Sequence, residues 1–135
     1  MENRCFFKAK RNDDGEWVFG GLSYCEKTNA YFITNMGKDH ISYIGFHQEV
    51  DSNTICQCTG IKDKNGKMIW ENDIVKDDKG NFYKAFWQEK YYQFSWVCVK
   101  SEKLPMGARW SLNCFRGYEM EIIGNIFDNP ELLEE

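Results

Sequence analysis

The 135-residue chain is long enough for one domain that buries about two thirds of the surface its unfolded form exposes, which removes any need for disulfides or a structural metal. Aromatics make up 16 % of it, with 11 glycines and 2 prolines, a balance that favours strands over helices. A formal net charge of -4 argues against a protein devoted to neutralising phosphates, and no apolar run nears the ~18 residues that a membrane span needs.

Charged residues at the amino terminus, where a signal peptide places its apolar segment, set the expectation of a cytoplasmic protein. In that compartment Cys5, Cys25, Cys56, Cys58, Cys98 and Cys114 are expected as reduced thiols, most of them packed as small apolar side chains. Charge is uneven, with a basic start at Lys8, Lys10 and Arg11 and an acidic end at Glu131, Glu134 and Glu135.

Cys5 to Lys10 and Glu16 to Leu22 read as strands joined into a hairpin by Asn12-Asp13-Asp14-Gly15. Ala30 to Thr34 is a third strand, a polar loop follows around Gly37 to Asp39, and Ile41 to Phe46 is a further extended run. These elements predict an amino-terminal meander over residues 1–53. Asp51-Ser52-Asn53 is a turn or a single helical turn, and Thr54 to Ile61 is extended, with Cys56 and Cys58 on one face. Asn65-Gly66 is the strongest local signal, because a two-residue hairpin loop needs positive φ at both positions and this dipeptide supplies it at low steric cost. Lys67 to Trp70 leaves that turn as a strand, Glu71-Asn72-Asp73 redirects the chain, and Ile74-Val75 begins another strand that ends at Asp77-Asp78-Lys79-Gly80-Asn81.

Phe82 to Trp87 and Tyr91 to Lys100 are long aromatic strands paired across Gln88-Glu89-Lys90. Leu104-Pro105-Met106-Gly107 is a loop, and Ala108 to Arg116 has no clear pattern. Tyr118 to Ile126 is a late strand with Met120, Ile122 and Gly124 on one face. Asn129 then reads as the cap, and Pro130 as the first residue, of a helix of one or two turns through Leu132-Leu133.

Three blocks carry a resemblance: FFKAKRNDDGEWVFGGL at Phe6 to Leu22, TGIKDKNGKMIWENDIV at Thr59 to Val75, and EIIGNIFDNPELL at Glu121 to Leu133. On them the chain is similar to the YopX family, proteins encoded by bacteriophages and prophages. The central block is the most specific, with Asn72 standing where the family usually has Gly and Cys58 where an aromatic is common. Asn tolerates the left-handed backbone that such a Gly implies. The resemblance implies a β-rich fold and a phage or prophage origin, and it brings no catalytic residues; the shared residues read as turn and core chemistry.

No nucleophile with a positioned base, phosphate loop or metal-ligand cluster is present. Cys56 and Cys58 lack the paired Cys-x2-Cys knuckles of a zinc ribbon, and His40 and His47 cannot close a site on their own. Glu71, Asp73, Asp77 and Asp78 alternate with lysines and lack the order of a calcium loop. The aromatic ladder weighs more. Tyr92, Phe94 and Trp96 share one face by alternation and read first as core; exposed and accompanied by Lys90, Lys100, Lys103 and Arg109, they would instead form a base-stacking platform.

The expected fold is therefore all-β within a single domain, 1–135: a small SH3-like barrel or sandwich over 54–135, the meander of 1–53 packed on it, and a short carboxy-terminal helix. The expected function is that of a phage accessory protein without catalysis, metal or cofactor, which binds a protein partner or assembles with itself. Single-stranded nucleic acid binding by strands 82–99, with Lys90, Tyr92, Phe94, Trp96 and Arg109 as its residues, is the alternative.

Overall fold

Short runs of alternating polarity, cut by turns rich in Asp, Asn and Gly, fold into antiparallel strands throughout the computed structural model, which describes residues 6–35, 46–111 and 119–134. The expected loop around Gly37 to Asp39, residues Ile41 to Gly45 of the run that ends at Phe46, and Cys5, His40, Cys114 and Arg116 lie outside the described residues. Among the described residues no helix is long and apolar enough to cross a membrane. The chain forms two compact units that divide between Cys58 and Thr59, within strand β5 (Cys56–Lys62) and not at the 51–53 turn.

In the first unit β1 (Phe7–Lys10), β2 (Trp17–Cys25), β3 (Ala30–Asn35) and β4 (Phe46–Val50) form an antiparallel meander. β4 runs on through the polar residues His47, Gln48 and Glu49, past the point where apolar alternation ends; its pairing with β3 keeps it extended. Ala9, Val18, Ile33 and Val50 make the core, with Phe7, Leu22, Tyr31 and Ile55 packed against them. Asp51 accepts from the Asn53 amide at the start of a 3-10 turn over Ser52–Thr54, and Thr54 Oγ1 accepts from the Lys10 amide at 2.8 Å. That bond ties the turn back to the end of β1, whose own first residues pair with Cys56 and Gln57.

In the second unit β7 (Asp73–Lys76), β8 (Phe82–Gln88), β9 (Gln93–Lys100), β10 (Arg109–Ser111) and β11 (Glu121–Asn125) form an antiparallel sheet in the order β10-β9-β8-β7-β11. The later part of β5 pairs with β6 (Met68–Trp70), and Ile69 of this ribbon joins Val75, Tyr83, Ala85, Trp96, Cys98 and Met120 in one buried cluster. The mainly β class holds, but among the described residues neither sheet closes into the expected SH3-like barrel. Among them β10 and β11 are the ends of an open sheet, so the unit is a ribbon laid on a sheet.

Two hairpins of this unit are built by the same five-residue device. In Asp63-Lys64-Asn65-Gly66-Lys67 the Asp63 amide donates to the Lys67 carbonyl, the Gly66 amide to the Asp63 carbonyl, and Asp63 Oδ1 accepts from the amides of Asn65 and Lys67. Asp77-Asp78-Lys79-Gly80-Asn81 repeats each of these bonds. Positive φ occurs at Gly66 (81°) and Gly80 (85°), while Asn65 stays in the ordinary region. The Asn65-Gly66 turn is thus a β-turn closed by a left-handed glycine, which corrects the expected two-residue loop with both positions left-handed. Asn72 does adopt φ 72°, as expected for the residue standing in place of glycine.

Each aspartate does more than close its turn. Asp63 Oδ2 reaches the amide of Ile122 at 3.1 Å, joining the hairpin to β11, and Asp77 Oδ2 accepts from Tyr83 Oη at 2.9 Å. Burial pushes both carboxyls up, but these amide and hydroxyl donors outweigh it and hold both below the usual range. Burial and then the Asp77 carboxylate raise the Tyr83 phenol. A depressed folded pKa contributes stability that is complete above the unfolded carboxyl value of about 3.9 and is lost as pH falls through the folded one. Urea midpoints of the natural chain should therefore drop steeply below about pH 4, while an Asp63→Asn, Asp77→Asn variant starts lower and loses less over that range. Parallel profiles would contradict this.

β11 carries an irregularity between Ile122 and Gly124. A Cβ on Gly124 would meet Asn129 Oδ1 at 2.5 Å, and that oxygen accepts from the Asn125 amide. Asn129 stands at the cap and Pro130 in the first turn, as expected, but the Pro130–Leu133 segment is a 3-10 turn and the Asn129 side chain caps none of its amides, clamping the end of β11 instead. Gly124→Ala should lower the unfolding free energy by about 1–3 kcal/mol, because it displaces this acceptor, and thermal melts would register the loss.

Candidate binding surface

β8 and β9 form the longest ribbon of the second unit, paired from Phe82↔Lys100 to Gln88↔Gln93. Its core face presents Tyr83, Ala85 and Trp87 on one strand, with Cys98, Trp96 and Phe94 opposite. The core covers only the base of this ladder. Trp96 is fully buried opposite Ala85 and Trp110, and Tyr83 meets Trp110 edge-on at 5.8 Å. Beyond the core edge Trp87 is 43 % exposed and packs edge-on against half-buried Phe94 at 5.2 Å.

The tip then leaves the strand geometry. Glu89–Tyr91 makes a 3-10 turn and Tyr92 follows with φ 52° and ψ 48°, its amide donating to the Glu89 carbonyl. Alternation therefore breaks at Tyr92, and the expected common face of Tyr92, Phe94 and Trp96 is split three ways: Trp96 is core, Phe94 lies at its margin, and Tyr92 is 79 % exposed. Tyr91, 58 % exposed, completes a tip of large rings. A left-handed backbone strains a tyrosine by about 1–2 kcal/mol, a cost that Gly or Asn would relieve.

The basic residues expected beside the ladder do not form one platform. Lys90 Nζ stands 5.4 Å from the Tyr91 ring centroid next to Glu89, so the tip carries no charge excess. Arg109 lies on the opposite face of the sheet, its guanidinium 5.4 Å over Phe86. Lys100 sits at the far end of the ribbon over Phe82, at 5.6 Å. Sequence reasoning read Tyr92 first as core and missed the exposure of Trp87; the short polar run Gln88-Glu89-Lys90 was the available sign that the ladder outruns its core.

Cys25 and Cys98 are free thiols, and Cys56, Cys58 and Cys98 are buried. Among the described residues no cluster of His, Cys, Asp and Glu is arranged to hold a metal ion.

Two antiparallel β units with no long helix among the described residues, the second bearing an aromatic hairpin tip, define the class. The chain belongs to the YopX family: the family model described as YopX protein matches residues 6–134. Among solved structures it is similar to the crystal structure of protein EF1440 from Enterococcus faecalis, with 25 % identity and a TM-score of 0.52 over 95 % of this chain and 96 % of that one. Among curated proteins there is no match.

Proposed function

We infer that the protein is a non-enzymatic binding module, a phage or prophage accessory protein of the host cytoplasm, which docks a protein partner through the tip of the β8–β9 hairpin; a second copy of the chain qualifies as that partner. The observation that carries this reading is Tyr92: a large ring, mostly in solvent, on a backbone that suits glycine better. Strain kept at a position that does nothing for the core points to contact with something else. Exposed Trp and Tyr rings are also the side chains that dominate protein interfaces, where each buries much area at low entropic cost.

Nucleic acid is the weaker reading, since the rings lack the surrounding cations that follow a phosphate backbone. The test is recovery of partners by the tagged chain from cells carrying the phage or prophage, compared with a Trp87→Ser, Tyr91→Ser, Tyr92→Ser variant of unchanged circular dichroism. A protein recovered by the natural chain and lost by the variant is expected. Recovery of nucleic acid instead, or indifference to the three substitutions, would overturn the reading.

A further inference from the structure

At the base of the same ribbon, away from the aromatic tip, an open groove of about 500 Å³ runs between the 79–82 turn, the end of β9 with its following loop, and the Pro130–Leu133 turn. Its floor is apolar: Phe82, Val99 and Met106 line it with Leu133, and Met106 is 56 % exposed. On its rim the exposed side chains of Lys79, Lys100 and Lys103 outnumber those of Glu102 and Glu134. Among the described residues none of these three ammonium groups holds an ion pair, and Lys100 Nζ stands over the Phe82 ring at 5.6 Å. Cation and apolar floor are thus adjacent.

We propose that this groove binds an acidic, leucine-bearing peptide segment of a partner protein, with its carboxylates on the lysine rim and its apolar side chain on the Phe82–Met106 floor. Charge complementarity selects the carboxylates, and the floor selects a bulky aliphatic neighbour. The chain itself displays that chemistry in place. Leu133 and Glu134, from its Pro-Glu-Leu-Leu-Glu-Glu sequence, line one side, with Leu133 on the floor and Glu134 at the rim. A nucleic acid fits less well, because among the apolar residues Phe82, Val99, Met106 and Leu133 of the floor Phe82 alone has a ring on which a base stacks. The site does not depend on the aromatic tip, so either can fail alone.

The probe is a fluorescein-labelled peptide Pro-Glu-Leu-Leu-Glu-Glu, the sequence of residues 130–135, titrated with the full chain and read by anisotropy. Saturable binding is expected, weakened at least about tenfold by Lys100→Glu with Lys103→Glu and by a rise to about 0.5 M salt. Met106→Glu, at an exposed position, should weaken it without charge reversal of the rim, and Trp87→Ser with Tyr91→Ser should leave it unchanged. The proposal is overturned by no binding up to about 1 mM peptide, by binding indifferent to both groove variants, or by an oligothymidylate that binds the natural chain more tightly than the peptide does.

Discussion

Replacing Asp63 by alanine should lower the unfolding free energy by ~3–5 kcal/mol, a large share of what a domain of this size possesses. One buried carboxylate accepts from the amides of Asn65, Lys67 and Ile122, and alanine leaves all three donors without it. Each such amide costs about 1–3 kcal/mol where water cannot replace the acceptor, and the exposed hairpin end recovers part of that. Asp63→Asn is a sharper probe. Its oxygen can still serve Asn65 and Lys67, while its NH2 group faces the Ile122 amide and loses the bond to β11. The asparagine variant should therefore fall between alanine and the natural chain in urea unfolding. A loss below about 1 kcal/mol for Asp63→Ala would mean that the DKNGK run is not chiefly folding chemistry.

The second large effect separates two aromatics that sequence alternation places together. Trp96→Ala should cost ~3–5 kcal/mol, since the ring is fully buried among Tyr83, Ala85 and Trp110 and no neighbour can fill the space it leaves. Tyr92→Asn should cost nothing and should stabilise the chain by up to about 1 kcal/mol, because asparagine accepts the left-handed backbone and little ring area returns to water. The same substitution should abolish partner binding. A gain in stability joined to a loss of function is the signature expected of a position held for contact and not for folding. Calorimetric melting of the two variants decides the first half: comparable destabilisation would place Tyr92 in the core after all.

What the sequence makes legible here is local. The β1–β2 hairpin, the reversal at Asn65-Gly66 and the shared face of Cys56 and Cys58 all follow from residues within a few positions of one another, and the left-handed Asn72 follows from the resemblance, where a glycine is usual. Features set by distant residues were not visible. Asp63 gives no sign in sequence of its bond to Ile122, 59 positions away. β4 is drawn extended by its pairing with β3, against its own polar residues. The groove gathers Lys79, Lys100, Met106 and Leu133 from separate turns. The open edges at β10 and β11 likewise depend on which strands pair, and short strands joined by tight turns suit a barrel and an open sheet equally. Tyr92 escaped for a different reason: alternation counts residues as if the strand continued, and a single 3-10 turn shifts the count.

The turns build the fold, and the hairpin tip is the proposed contact with a partner. Its most direct test is photocrosslinking in cells that produce the chain, with benzoylphenylalanine placed at position 92 or at the exposed position 65 of the family's central motif. A discrete protein adduct from position 92 and none from position 65 is the predicted result. Adducts from position 65 alone would contradict it, and would make the DKNGK turn the contact surface.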